Sequence, residues 1–510
     1  VNNSIPWTPE QLAFFDALDS TNDSIALIAV AGSGKTTTLV EGVRHLRGST
    51  LAVAFNVRIK QTLEEQVGEI AVCRTLNGLG HRALMQFFNR KIKIDSNKMG
   101  KIVQNLLKMK ENERFWKSFS SIRSLASCAK HHGLVPANTP GSPQGLIPDV
   151  PESWQELADH YDIDIEEPGV ARLACHALRL SNTASWGGTC DFDDQIYIPV
   201  CWGAPFDKFK NVLVDEAQDL SHIQHVMLRR TLSKTGRLIA VGDPSQAIYG
   251  FRAAADDSME RLIETFHMRT LGLSVSFRCA KAIVYKAQEI VPRIQPSPSA
   301  PDGFVTHLSA YDETAFGNDS CCVVCRNNGP TITLAYRLIA SGKGVAVLGR
   351  NIGAGLKALI NKLTRKDLTI PLPTFCTNME NWAAHEVDVA TAKEQWSKIA
   401  NITDKTESLA AIINGSGVET LPELIKEIDS LFAKKVAKII LSTVHKAKGM
   451  EWDHVFFLDY HLIPSRWAVE AAATSEDAEW MLCEEDHLKY VGTTRARLTL
   501  TYITTGGWKR

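Results

Sequence analysis

The stretch "AVAGSGKTTTL", residues 29–39, follows the apolar run "SIALIAV" at 24–30. An apolar run that breaks into a glycine-bearing turn and then into helix-forming residues restricts the local fold to strand–loop–helix. Gly32 and Gly34 permit a tight turn whose backbone N–H groups point inward, and the following helix N-terminus adds the positive end of its dipole. Gly32, Ser33, Gly34, Lys35, Thr36 and Thr37 are therefore the candidate phosphate cradle. Lys35 is suited to the outer phosphates and the Thr36 hydroxyl to a magnesium ion. Ala29 stands where the GxxxxGK[ST] pattern usually opens with glycine.

A second motif supports the first. "VLVDEAQD" (212–219) reads as a strand ending in adjacent acids. Asp215 is placed to hold magnesium, and Glu216 to orient and deprotonate an attacking water. Acidic pairs at strand ends also serve as simple helix N-terminal charges. Together with the loop at 29–39, the pair points to ATP binding with Mg²⁺ and to hydrolysis.

Apolar runs rich in Val, Ile and Leu recur at 51–56, 211–216 and 237–243, and again at 321–326, 344–349, 438–444, 454–460 and 497–503. Near-continuous apolar strands separated by helical stretches predict parallel sheets covered on both faces. The fold class expected is α/β, with two P-loop-type cores of parallel sheet, each carrying a mainly helical inserted subdomain. The expected division is 1–80 with 190–275 for the first core and 81–189 for its insertion. The second core is expected at 276–350 with 436–510, and its shorter insertion at 351–435.

Charge bears on the partner. The net charge of −1 carries no signature of nucleic-acid binding, yet residues 81–135 hold twelve Lys and Arg against three acids, whereas 151–167 hold seven acids and no Lys or Arg. Such segregation allows a basic groove on a neutral protein, and equally fits solvated helix faces. Eleven cysteines without framework spacing fit reduced thiols, and Cys322 and Cys325 read as part of a buried strand rather than a redox or metal pair. No apolar run reaches the length of about 18 residues that spans a membrane. A cytoplasmic or nucleoid-associated protein is expected, or a nuclear one in a eukaryote.

Asp215 stands 180 positions after Lys35, a longer span than a compact P-loop kinase needs. Further on come "VGDPSQAIYGFRAA" (241–254), "LSVSFRC" (273–279), "LSTVHKAKGMEWDHV" (441–455) and "EEDHLKYVGTTRA" (484–496). With these the chain resembles the UvrD/Rep-type superfamily 1 helicases across both cores, which makes the cores RecA-like. "WTPEQ" (7–11) resembles that family's Q motif, and "LAVAFNVRIKQTL" (51–63) its first DNA-contacting motif.

The resemblance implies a role for each matched residue. Gln11 would read the adenine edge, Phe277 would stack on adenine, and Glu451 would accept from the ribose. Gln246 would sense the γ-phosphate. Arg278 and Arg495 would act as arginine fingers, each supplying about 10³–10⁵-fold in rate when the cores close on ATP. Phe55, Tyr249 and Phe251 match aromatic positions of the single-strand groove, where a stacked base contributes about 1–3 kcal/mol. Arg252 matches a residue linking groove to ATP site, and Thr75, Asn77, Thr443 and His445 match polar contacts to the strand.

Departures from the family pattern are specific. Asn77 replaces a common histidine, and Thr37 replaces an arginine that often stacks on the base. "DFDDQIYIPV" (191–200) also resembles a family segment; its acids are read as helix caps with no chemistry assigned. The resulting expectation is an ATP- and Mg²⁺-dependent translocase on single-stranded and tailed duplex DNA, acting as a monomer in the 3′→5′ direction. RNA is an alternative track, since stacking need not read the 2′-hydroxyl. Two rival classes are an ATPase switch that clamps nucleic acid without unwinding it, and a small-molecule phosphotransferase.

Overall fold

The computed structural model describes the chain apart from residues 1–5, 55, 142, 162, 164, 166, 249–257, 310–312, 317–319, 394, 434–436, 475–478 and 506–510. It divides into two units, Val1–Ala29 with Gly34–Leu273, and Val30–Ser33 with Ser274–Arg510.

The first unit is built on β1 (Ile25–Ala29), β2 (Thr50–Ala54), β3 (Val72–Thr75), β4 (Phe209–Val214), β5 (Leu232–Gly242) and β6 (Arg269–Leu273). The strands form one sheet in the order β3-β2-β4-β5-β1-β6, and every pairing is parallel. Successive side chains of a strand face opposite sides, so a sheet covered on both faces needs apolar residues throughout. Ala26, Leu238 and Ala240 enter the cluster on one face, while Leu27, Ile239 and Val241 enter the cluster on the other, with Phe14, Leu18 and Leu39. β5 begins at Leu232, five residues before the apolar run that announces it in the sequence.

Between β3 and β4 the chain runs through helices Leu76–Phe88, Lys98–Leu107, Phe119–His131, Pro151–His160, Val170–Trp186 and Asp194–Cys201. Their apolar residues, among them Leu106, Ile122 and Leu178, join Leu51, Val212 and Val214 of the sheet in one continuous core. The helical segment is thus anchored by shared burial, not only by its two chain connections.

The second unit repeats the design with β7 (Phe304–Leu308), β8 (Cys321–Cys325), β9 (Val345–Val347), β10 (Ile439–Thr443), β11 (Trp452–Leu458) and β12 (Ala496–Ile503). The order is β7-β12-β11-β8-β10-β9, again all parallel. Helices Arg350–Thr364, Leu372–Ala392, Trp396–Ser416 and Leu421–Leu431 lie between β9 and β10. The last shows how sequence sets such a helix. Thr420 and Glu423 form a reciprocal capping box, a proline follows the cap, and Leu421, Leu424, Ile428 and Leu431 make one buried stripe. Two six-stranded parallel sheets with helical insertions are the α/β, RecA-like class expected.

All eleven cysteines are free. Cys322 and Cys325 are fully buried within β8, and burial pushes the Cys325 thiol up to about 12, so the strand reading holds. Among the described residues no helix is long and apolar enough to cross a membrane.

Candidate nucleotide and nucleic-acid site

Strands β4, β5 and β1 are adjacent and parallel, so the loops leaving their carboxyl ends meet at one edge, where open α/β sheets bind ligands. Gly32 (φ +72°) and Gly34 (φ +76°) both take the left-handed conformation that the loop after β1 requires. Gly34 then caps the Lys35–Arg44 helix. Ser33 Oγ is buried without a hydrogen-bond partner among the described residues, a polar demand in the middle of the cradle that a phosphate oxygen would meet.

From β4, Asp215 and Glu216 reach this loop. Thr36 Oγ1 donates to Asp215 Oδ2 at 3.2 Å, and Lys35 Nζ lies 3.7 Å from Glu216 Oε2. Glu216 sits at φ +54°, a left-handed position costing a side-chain-bearing residue about 1–3 kcal/mol. Burial, and then the Glu216 carboxylate, push the Asp215 pKa up to about 6, against the opposing pull of Lys35. A buried carboxylate so reluctant to ionise, with a hydroxyl oxygen at 3.2 Å, fits a divalent cation. Among the described residues no cluster of three or more His, Cys, Asp or Glu forms a metal cage. Magnesium beside a nucleotide typically takes only one or two protein oxygens, which is what this pair offers.

Gln218, to which the motif "DEAQD" assigns no role by spacing, is buried at this edge and bonded to both neighbouring strand ends. It donates from Nε2 to Glu216 Oε2 at 2.6 Å and accepts on Oε1 from Asp243 N at 3.1 Å. Gln246 in turn donates to Asp243 Oδ2 at 2.7 Å. Its motif position was the available signal, but side-chain bonding between strands is not written in spacing.

Gln11 is buried at the first helix. Its Oε1 accepts from Thr8 N at 2.9 Å and its Nε2 donates to Thr38 Oγ1 at 2.8 Å. An amide carries two N–H groups and two lone pairs, so these bonds fix the side chain and leave capacity for an adenine edge. Thr37, in the first turn of the Lys35–Arg44 helix, is exposed.

Within the second unit, Phe277, Arg278, Glu451 and Arg495 gather at the amino-terminal edge of the sheet, because Glu451 precedes β11 and Arg495 precedes β12. Arg278 Nε stands 2.5 Å from Glu451 Oε2, and its Nη1 donates to Thr494 O at 3.3 Å. Arg497 adds a contact of 3.7 Å to Glu451 Oε1. The proposed phosphate ligand and the proposed ribose ligand are therefore paired with each other. Arg495 is 1% exposed, donating from Nε to Val491 O and from Nη1 to Met450 O. Phe277 is 49% exposed, as a stacking platform must be.

Thr443 and His445 lie past the opposite, carboxyl end of that sheet, at the end of β10 and in the short helix Val444–Ala447. Parallel topology alone separates them from the arginines. In the first unit, Thr75 ends β3 and caps the next helix by accepting from Gly78 N at 3.1 Å. Asn77 donates to Phe192 O at 2.9 Å and Gln195 Oε1 at 3.0 Å. Phe55, Tyr249, Phe251 and Arg252 lie outside the described residues.

The acids at 191–194 do more than cap. Asp191 does accept from Asp194 N at 2.9 Å, but both carboxylates also bind buried lysines. Lys130 Nζ reaches Asp191 Oδ2 at 2.8 Å and Asp194 Oδ1 at 2.7 Å, and Lys98 pairs with Asp194 Oδ2. Burial would raise Asp194, but the Lys130 and Lys98 ammonium groups hold it down at about 2. His131 pairs with Asp193 at 3.1 Å. Two of the twelve basic residues at 81–135 are consequently spent in the interior and belong neither to a basic groove nor to a solvated helix face.

Comparison with known proteins identifies the family. A model of the UvrD/REP helicase N-terminal domain matches residues 7–267, and a model of the UvrD-like helicase C-terminal domain matches 360–506. DNA helicase II of Escherichia coli (strain K12) is 22% identical over an alignment of 628 positions, covering 96% of this chain and 84% of its own. ATP-dependent DNA helicase UvrD2 of Mycobacterium tuberculosis (strain ATCC 25618 / H37Rv) is 22% identical over 556, covering 93% of this chain and 76% of its own. F-box DNA helicase 1 of Gallus gallus is 22% identical over 530, covering 98% of this chain and 49% of its own. With the P-loop, the acidic pair and the ordered motifs of both units in place, the chain belongs to the UvrD/Rep family of superfamily 1 helicases.

Proposed function

We propose that this helicase hydrolyses ATP with Mg²⁺ to move 3′→5′ along single-stranded DNA and displace the complementary strand of a tailed duplex, acting as a monomer. The observation that carries the reading is the joint placement of Thr36 on Asp215 and Lys35 on Glu216 at one sheet edge. Lys35 and the loop backbone bind the phosphates, Thr36 and Asp215 hold the magnesium, and Glu216 takes the proton of the attacking water. Bound magnesium would neutralise charge on the phosphate oxygens. Gln246 reports the γ-phosphate, Gln11 and Phe277 hold adenine, and Glu451 exchanges Arg278 for the ribose hydroxyls. Arg278 and Arg495 supply positive charge to the transferring phosphoryl group.

The division of labour follows the same reading. Residues 1–80 with 190–275, and 276–350 with 436–510, are the two motor cores; 81–189 and 351–435 are their helical insertions. Thr75, Asn77, Thr443 and His445, with Phe55, Tyr249, Phe251 and Arg252, contact the DNA strand.

Strand displacement on matched duplexes bearing a 3′ or a 5′ single-stranded tail tests the reading, with Lys35→Ala as control. Displacement only from the 3′ tail is expected. Displacement only from the 5′ tail would reverse the direction, and DNA-stimulated ATPase without displacement from either tail would make the protein a clamp or bare translocase.

A further inference from the structure

Gln218 is 1% exposed and sits between the ends of β4 and β5. A primary amide donates and accepts at the same time through atoms on one planar carbon. Here the two functions are divided between two strand ends. The N–H binds the carboxylate of Glu216, and the carbonyl binds the backbone N–H of Asp243. Asp243 then accepts on Oδ2 from Gln246 and on Oδ1 from Ser245 N at 3.2 Å. A continuous chain of hydrogen bonds therefore runs from Glu216 through Gln218 and Asp243 to Gln246, entirely within the first unit. Close approach is built in as well: a Cβ on Gly242 would lie 2.7 Å from Gln218 Oε1, so the amide fills space that only a glycine at 242 leaves.

We propose that Gln218 is a positioning residue that couples the turn at 243–246 to the orientation of the Glu216 carboxylate. The inference rests on the reading of Glu216 as the base and Gln246 as the phosphate sensor. Glu216 occupies a left-handed backbone position (φ +54°) and has its Oε2 fixed by the Gln218 amide, so its aim depends on where that amide is held. A shift of Asp243 moves the Gln218 carbonyl with it, and the carboxylate follows. The segment directly after Gln246 carries Tyr249, Phe251 and Arg252, the proposed strand contacts. Strand binding thus has a short route to the water-activating group, one that acts on turnover rather than on nucleotide affinity.

Steady-state ATP hydrolysis with and without single-stranded DNA tests this in the full chain. Gln218→Met keeps the length and removes both bonds; the ratio of DNA-stimulated to basal kcat is expected to fall at least about tenfold, while KM for ATP changes less than about twofold. Gln218→Glu keeps the acceptor but sets a second carboxylate against Glu216, which raises the pKa of the pair. Protonation restores the donor, so its stimulated kcat is expected to climb as pH is lowered from 8 to 6, opposite to the wild type. This pH profile also decides the matter should Gln218→Met fail to fold. A wild-type stimulation ratio in Gln218→Met, or a Gln218→Glu profile parallel to the wild type, would overturn the coupling. Glu216→Gln separates the two levels. If it turns over normally, the base assignment itself falls; if it is inactive while both Gln218 variants behave as wild type, only the coupling falls.

Discussion

Thr36 Oγ1 and Asp215 Oδ2 meet at 3.2 Å although 179 residues separate them, and that carboxylate is fully buried beside a second acid. Its pKa of about 6 lies above the ordinary 3.8, so the folded state binds the proton more tightly than the unfolded state does. This group's contribution to stability is fully present below pH 4 and is lost as pH rises through 6. Asp215→Asn, which removes the buried charge, is expected to stabilise the metal-free protein at pH 7.5 by about 2–3 kcal/mol, with the gain shrinking at pH 5. Urea unfolding at the two pH values checks this. A variant destabilised at both would mean that Asp215 is already fully compensated without metal.

The same variant is expected to lose Mg²⁺-dependent hydrolysis. In the wild type, protons compete with the ion at Asp215, so the Mg²⁺ concentration giving half-maximal ATPase should rise as pH falls below about 6. A requirement independent of pH between 5 and 8 would place the ion elsewhere.

Lys35→Ala and Glu216→Gln are each expected to reduce kcat at least about a hundredfold, the first by removing a charge that stabilises the phosphates and the second by removing a positioned base. Glu216→Gln should still bind ATP, because its neutral amide leaves the phosphate cradle intact. Turnover by one variant and equilibrium binding of a fluorescent ATP analogue by the other settle the two roles separately. Normal hydrolysis by Glu216→Gln would remove it as the base.

The pairing of Arg278 with Glu451 at 2.5 Å predicts different kinetic signatures for its two partners. Arg278→Ala should act on the transition state and lower kcat by about 10³-fold or more. Glu451→Gln should act on binding, raising KM for ATP with a smaller change in kcat. Matching losses in both parameters for both variants would make the pair a structural clasp.

Lys130 lies at the centre of a buried charge cluster with Asp191 and Asp194, and removing one partner of such a cluster leaves an uncompensated charge. Lys130→Met is expected to cost about 3–5 kcal/mol in chemical denaturation. Binding of single-stranded DNA by the wild type should weaken with salt, with a log–log slope of about −0.7 per phosphate neutralised. A flat salt response would remove the remaining exposed bases at 81–135 from the DNA interface.

The proposed nucleotide site was legible in the sequence because its marks are local. A glycine at a left-handed turn, a lysine and a threonine at a helix start, and acids at a strand end announce themselves by residue type and by neighbours a few positions away. The alternation of apolar strands and helices likewise foretold two parallel sheets, since burial on both faces leaves a continuous apolar run. Gln218 had no such local mark: its two bonds, to Glu216 and Asp243, join the ends of different strands. The acids at 191–194 looked like caps for the same reason, because their lysines stand 61 and 96 residues away.

What the sequence by itself determined was the class of each element and which residues are candidates for phosphate, metal and base. Which charges are spent in the interior, which amide bridges two strand ends, and which edge of the second sheet carries Arg278 or Thr443 were decided only by the tertiary structure. Strand order and parallel register bring distant residues within hydrogen-bonding range, and in a buried setting each polar group must then find its partner among whatever that packing supplies.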